Sequence, residues 1–121
     1  MKQEIVQLAL VVNDYDEAIE FYTKKLGFTV DFRYEDFYAG ISKDGFSIHL
    51  KTGQPLSGIR QLIKDSEDLD LIFSVGDIEW FYKELLKKAV EITQPLREMP
   101  YGREFYITDP DGYIIAFLEE W

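Results

Sequence analysis

Asp44-Gly45-Phe46-Ser47-Ile48-His49-Leu50 and Asp111-Gly112-Tyr113-Ile114-Ile115-Ala116-Phe117 are two copies of one pattern, an Asp-Gly turn running into an apolar strand. Upstream of each copy a second pattern repeats. Val12, Asp14, Ile19, Tyr22 and Leu26 match Val75, Asp77, Tyr82, Leu85 and Ala89 at a constant offset. A chain that repeats itself in this way folds as two similar modules, because neither could cover its own apolar face alone. The repeat also pairs positions: Gln7 with Asp70, and His49 with Ala116.

Each copy reads as strand, helix and three strands. Ile5 to Val12 alternates as a strand does. Asp14 with Glu17 three residues later forms a capping box, and Tyr15, Ala18, Ile19, Tyr22 and Leu26 then fall on one helical face. Lys24 and Lys25 suit the last turn, and Gly27 stops the helix. Strands follow at about 28–34, 37–42 and 46–51, the last two joined by Lys43-Asp44-Gly45. Residues 53–68, with Pro55, Gly58 and no clean period, form a connector. The second copy has a strand over 69–75, an Asp77-capped helix to about Ala89, and three strands between Glu91 and Glu119 that close through Asp109-Pro110-Asp111-Gly112. The expectation is one α+β domain over residues 1–121, with module one at about 4–52 and module two at about 69–120. Two tandem β-α-β-β-β modules of this kind would build a curved, cup-shaped mixed sheet with the helices outside.

Alternation sends successive side chains to opposite faces of a strand. If the helices cover Leu10, Leu71 and Phe73, the other face carries Gln7, His49, Asp70, Ile72 and Ala116. Polar groups among apolar ones on such a face mark a binding site. His49 is the only histidine, and Asp70, costly if dry and unpaired, must meet solvent, a cation or a donor. Tyr38, Tyr101 and Phe105 are the aromatic candidates for stacking a ligand, and Arg103 the candidate for an anionic group, against a simple pairing with Glu98 or Glu104. Trp80 is assigned to helix packing and Trp121 to the terminus or a dimer contact. No Ser-His-Asp or Cys-His set can be assembled, and no GxGxxG or Walker pattern occurs, so no residue is assigned a catalytic role.

Composition narrows the partners. The chain has 121 residues, 46% of them hydrophobic, which suffices for a core without disulfides. The absence of cysteine removes thiolate metal sites and fits a reducing cytoplasm, the expected compartment. Met1 to Val12 reads as a strand, not a signal peptide, and no apolar run approaches the ~20 residues that span a membrane. A net charge of -10 repels nucleic acid and anionic lipid and would favour a cationic small molecule. Aromatics at 16% suit a groove for flat, apolar compounds.

Two segments carry a resemblance to a known family. Gln7-Leu8-Ala9-Leu10-Val11-Val12-Asn13-Asp14 with Phe21-Tyr22 and Leu26-Gly27-Phe28 forms one, and Pro100 through Tyr113 (PYGREFYITDPDGY) the other. With them the whole chain resembles the vicinal oxygen chelate superfamily, which includes glyoxalase I, fosfomycin resistance proteins, extradiol dioxygenases and bleomycin resistance proteins. The resemblance implies a four-position metal site at Gln7, His49, Asp70 and Ala116. The fourth place, usually glutamate, is an alanine here and has no donor atom. Gln7, His49 and Asp70 remain as a reduced set for a divalent ion, below the usual complement of three good donors and an open position. The function expected from this resemblance is that of a bleomycin-resistance-type binding protein. It would sequester a planar or cationic compound without metal or other cofactor, and work as a homodimer rather than as an enzyme. The alternative is a metal-dependent lyase, isomerase or dioxygenase.

Overall fold

The computed structural model describes residues 8–53 and 69–121; Gln7 and the connector beyond Gly53 lie outside them. The chain divides into two compact units, Met1–Pro55 and Leu56–Trp121.

The first unit runs β1 (Leu8–Val12), α1 (Tyr15–Glu20), β2 (Thr29–Tyr34), β3 (Tyr38–Lys43) and β4 (Phe46–Thr52). Its four strands lie in the order β1-β4-β3-β2, with β1 parallel to β4 and the other pairs antiparallel. The Asp14 carboxylate accepts from the Glu17 backbone N–H at 3.0 Å, satisfying one of the donors a helix start leaves open. Beyond Glu20 the helix widens into a π-helical stretch, Phe21–Lys25. The Thr23 hydroxyl donates to the Ile19 carbonyl at 2.7 Å and so competes with the backbone for it. The chain then closes through Leu26 N–H to Phe21 O at 3.3 Å and Phe28 N–H to Tyr22 O at 2.9 Å, with Gly27 left-handed at φ 82°. Tyr22, fully buried, meets Phe21 and Phe28 edge-on at 5.3 and 5.7 Å. Each such pair adds ~0.5–1.5 kcal/mol beyond area burial. Asp44 at φ 52° and Gly45 at φ 88° are both left-handed between Lys43 and Phe46, which face one another across the strands. That is the two-residue turn whose twist matches a hairpin.

The second unit repeats the order as β5 (Leu71–Ser74), α2 (Ile78–Lys87), β6 (Glu91–Met99), β7 (Gly102–Thr108) and β8 (Ile114–Glu120). The sheet order β5-β8-β7-β6 and its parallel first pair match the first unit. Asp77 caps α2 through the Trp80 N–H at 3.2 Å. The helix packs on the sheet through Phe81 and Tyr82, whose rings meet Phe105 and Phe117 at 4.8 to 6.2 Å. Trp80, expected in that packing, is instead 60% exposed, one position off the sheet-facing stripe of Ile78, Phe81 and Leu85. Trp121 donates its indole N–H to the Met99 carbonyl at 3.0 Å and is otherwise exposed. At the β7–β8 turn, Asp109 Oδ1 accepts from the N–H groups of Asp111 and Tyr113, both at 2.9 Å. Gly102, at φ 153°, lies so close to the neighbouring strand that a Cβ there would stand 2.3 Å from the Glu119 carbonyl oxygen. Among the described residues, no helix is long and apolar enough to cross a membrane.

Each unit is therefore a four-stranded mixed sheet with one helix, an α+β arrangement used twice, as the repeated pattern requires.

Candidate functional site

In each unit one sheet face packs on the helix and the other does not, and the cross-strand pairing decides which side chains share the second face. In the first unit His49 pairs with Ala9 on β1 and Gly40 on β3, and Gly40 pairs with Phe32. Ile48 and Leu50, its neighbours on β4, point to the other side and are buried in the core. Gly40 leaves room for Phe32 to lie across the sheet: a Cβ at residue 40 would stand 2.2 Å from the Phe32 ring. That placement brings Phe32 edge-on to the His49 ring at 5.2 Å. Tyr38 completes the group. Its hydroxyl lies 2.7 Å from His49 Nδ1, its ring stands 5.3 Å from the imidazole, and its carbonyl accepts from the Tyr15 hydroxyl at 2.9 Å. Tyr34, 59% exposed, extends the cluster toward solvent at 5.3 Å from Phe32. The result is one imidazole held between the Phe32 and Tyr38 rings on the helix-free face, with Tyr34 packed against both of them.

The second unit carries a different cluster on its helix-free face. Glu104 pairs with Leu118 and with Arg97, and Tyr106 pairs with Ala116 and with Gln94. Glu104 is only 5% exposed, yet its carboxylate is well supplied with donors. Arg97 donates to Oε2 through Nε at 2.9 Å and Nη2 at 2.6 Å, the Tyr106 hydroxyl reaches the same oxygen at 3.0 Å, and the Tyr101 hydroxyl reaches Oε1 at 2.6 Å. Burial pushes the Glu104 carboxyl up, but these donors outweigh it and hold it below the usual carboxylate range. The same carboxylate, as hydrogen-bond acceptor and as nearby charge, pushes Tyr101 up to about 12. Burial, followed by the hydrogen bond to Glu104, raises Tyr106. Arg97 also lies over the Tyr106 ring, at 5.4 Å from its centroid.

The residues named from the sequence divide accordingly. His49 and Tyr38 come together, and Tyr101 reaches the second unit's helix-free face through Glu104. Gln7 lies outside the described residues. Ala116 pairs with Ile72 and Tyr106 on the expected face but is 2% exposed, a packed wall and not an open contact. Asp70 sits just ahead of β5, and its Oδ2 accepts from the Ile114 N–H at 2.8 Å while its own N–H donates to the Ile114 carbonyl. It pins the start of the β5–β8 pair. Phe105 is fully buried against Tyr82 and Phe117, so it belongs to the helix-side core and not to the ligand-facing set. Arg103 shares that side by alternation. It pairs with Glu119 at 2.5 Å and Glu79 at 3.8 Å, and Glu98, its cross-strand neighbour, adds a further negative charge, so the guanidinium serves acidic neighbours within the second unit. Reading from sequence missed Gly40 and the Arg97–Glu104 pair. The parity of Phe105 was the signal for Glu104 and Tyr106, because turning Phe105 to the helix turns both of them to the other face.

Residues 4–117 match the family described as the Glyoxalase/Bleomycin resistance protein/Dioxygenase superfamily. The chain belongs to this superfamily. An uncharacterized protein of Shewanella frigidimarina (strain NCIMB 400) is 63% identical over 133 residues, covering 98% of this chain and 95% of the relative. Two solved structures share the fold. TnmS3, an antibiotic binding protein from Streptomyces sp. CB03234, superposes with a TM-score of 0.75 at 20% identity, covering 100% of this chain and 99% of its own. The bleomycin-binding protein from bleomycin-producing Streptomyces verticillus, complexed with copper(II)-bleomycin, gives 0.69 at 23% identity, covering 100% and 99%.

Members of the superfamily include metal enzymes, whose chemistry depends on the donors that a divalent ion would meet. Ala116 offers no donor, and Asp70 spends one carboxylate oxygen on the Ile114 N–H. His49 has Nδ1 against the Tyr38 hydroxyl. Among the described residues, no three of His, Cys, Asp and Glu converge as a metal-holding group. Of the four places, only His49 and Asp70 carry a donor atom among the described residues, fewer than the about three protein donors that a catalytic divalent ion asks for.

Proposed function

We propose that this protein is a small-molecule binding protein that sequesters a planar, cationic compound without metal, in the manner of the antibiotic-binding members of its superfamily. The Tyr38–His49–Phe32 cluster on the helix-free face of the first unit carries the reading. A ligand ring would stack on Phe32 and Tyr34, while the imidazole, oriented by Tyr38, would hydrogen-bond a polar group on that ring. The depleted donor set supports a role without Lewis-acid chemistry, and the net charge of -10 supports a cationic ligand. The working form is taken to be a homodimer, since exposed strand edges call for cover, and sedimentation velocity showing a monomer at micromolar concentration would refute that part.

Proflavine, planar and cationic, is a suitable probe. Its fluorescence titration should saturate, with affinity unchanged by EDTA and lowered at least tenfold by Phe32→Ala or His49→Ala at an unaltered urea midpoint. Unchanged affinity in both variants, or binding abolished by EDTA, would overturn the reading.

A further inference from the structure

The hydrogen bonds of the second unit's cluster fix where its protons go. Tyr101 is 48% exposed, and its hydroxyl proton is committed to Glu104 Oε1 at 2.6 Å. Among the described residues, no donor meets the Tyr101 hydroxyl oxygen, so what that oxygen still offers is lone pairs. A phenol that donates to a carboxylate is also more electron-rich, in its oxygen and in its ring face, than one that donates to water. Tyr106 is committed in the same way, since its hydroxyl donates to Glu104, Arg97 Nη2 lies 3.2 Å from its oxygen, and the guanidinium stands over its ring. Tyr101 is thus the ring of this cluster left for a ligand, and it is an acceptor.

The charge balance agrees. Arg97 would repel a cation if it stood alone, but Glu104 takes two of its N–H groups and cancels it locally. The Arg97–Glu104 pair contributes no net charge, and the chain around it is strongly acidic. An anionic group placed at Tyr101 would meet phenol lone pairs and a carboxylate already saturated by donors. An ammonium or aromatic N–H group would meet a hydrogen-bond acceptor and an electron-rich ring face.

We infer that Tyr101, polarised by Glu104, forms a second recognition surface of this protein, one that takes an ammonium or N–H donor carried on a planar ligand and rejects an anion. Glu104 is a positioning residue here, because it acts through Tyr101 and is itself too buried to touch a ligand. The inference adds a contact in the second unit, and it rests on the reading above only for the ligand being small and planar.

The test compares three probes on one scaffold, 2-naphthylmethylammonium, 2-naphthylmethanol and 2-naphthoate, titrated calorimetrically against the full chain. The ammonium should bind at least tenfold tighter than the carboxylate. Tyr101→Phe should cost the ammonium about fivefold, the worth of one hydrogen bond, and leave the alcohol within about twofold. Glu104→Gln, which retains the shape of the side chain, should narrow the preference for ammonium over alcohol while the tyrosine titration near pH 12 disappears. A preference for the carboxylate, or an ammonium affinity untouched by both variants, would overturn the inference and leave sequestration at His49 standing. If none of the three probes binds, and proflavine does not either, both readings fall together.

Discussion

Replacing Glu104 by leucine should destabilise the protein more than most single substitutions, and the reason can be worked from its partners. The carboxylate is 5% exposed and is the acceptor for Arg97, Tyr101 and Tyr106. Removing one partner of a buried ion pair leaves the other charge uncompensated, at a cost of ~3–5 kcal/mol. Because the Arg97 side chain keeps 27% of its exposure, the lower figure of ~3 kcal/mol applies. The buried Tyr106 hydroxyl loses an acceptor for a further ~1 kcal/mol. The sum of ~4 kcal/mol, set against an unfolding entropy of ~2.1 cal/mol/K per residue, lowers the Tm by roughly 16 °C. In the double variant Arg97→Met/Glu104→Leu neither ion has to be dehydrated, so only the Tyr106 term should remain, a fall of roughly 4 °C. Differential scanning calorimetry of the wild type, both single variants and the double variant measures this coupling directly. A double variant as unstable as Glu104→Leu alone would refute the argument, since it would locate the cost in lost packing and not in a stranded charge. The pH profile provides a second check. With the Glu104 carboxyl held low by its donors, its contribution is complete above the unfolded value of ~4.3 and is lost as the pH falls through the lower folded value. The double variant should lack that part of the acid limb. Ultraviolet titration of the wild type should likewise show a tyrosine ionising at about 12, which returns toward ~10 in Glu104→Gln.

Two glycines yield further expected outcomes. Gly40→Ala would drive a methyl group into the Phe32 ring, so the ring should swing off His49. Proflavine affinity should fall severalfold, with a change of ~1 kcal/mol or less in stability, and an unaltered affinity would show that Phe32 does not contact the ligand. Gly102→Ala meets backbone, which cannot swing aside, and should cost at least ~2–3 kcal/mol in urea denaturation, so a neutral result would contradict the β7–β8 register described above.

Much of this architecture is legible in the amino-acid order because its punctuation is local. Asp14 and Asp77 cap helices through backbone groups three residues on, and Asp44-Gly45 can only be a tight turn. The first unit's cluster is legible for a related reason: β4 is regular from Phe46 to Lys51, so alternation places His49 correctly, and Tyr38 lies on the adjoining strand. The second unit resisted. β6 shifts register between Ile92 and Gln94 and again between Gln94 and Arg97, and each bulge breaks the period-two rule by which Arg97 could have been assigned a face. On the regular β7, Phe105, a stacking candidate by its ring, faces the helix, and Glu104 beside it takes the other face. Asp70 illustrates a different limit, because a carboxylate that serves the backbone of a distant strand looks in sequence the same as one that awaits a ligand.

The π-helical stretch of the first unit has a consequence for how the two halves diverged. Both helices start from an aspartate cap, but the left-handed residue that ends them falls at Gly27 in one and at Ala89 in the other, one place earlier relative to the cap. The wider turn at Phe21–Lys25 takes up that extra residue within the helix, and the strand after it carries a register shift of its own between Val30 and Phe32. A single added residue in a regular helix would rotate every later side chain by about 100° and turn the buried stripe outward. Here the helix absorbs it as a local bulge, like a slack link in a chain. The two copies therefore differ in length within their helices, while the β3–β4 and β7–β8 pairs, which carry His49 and Glu104, keep an unbroken register.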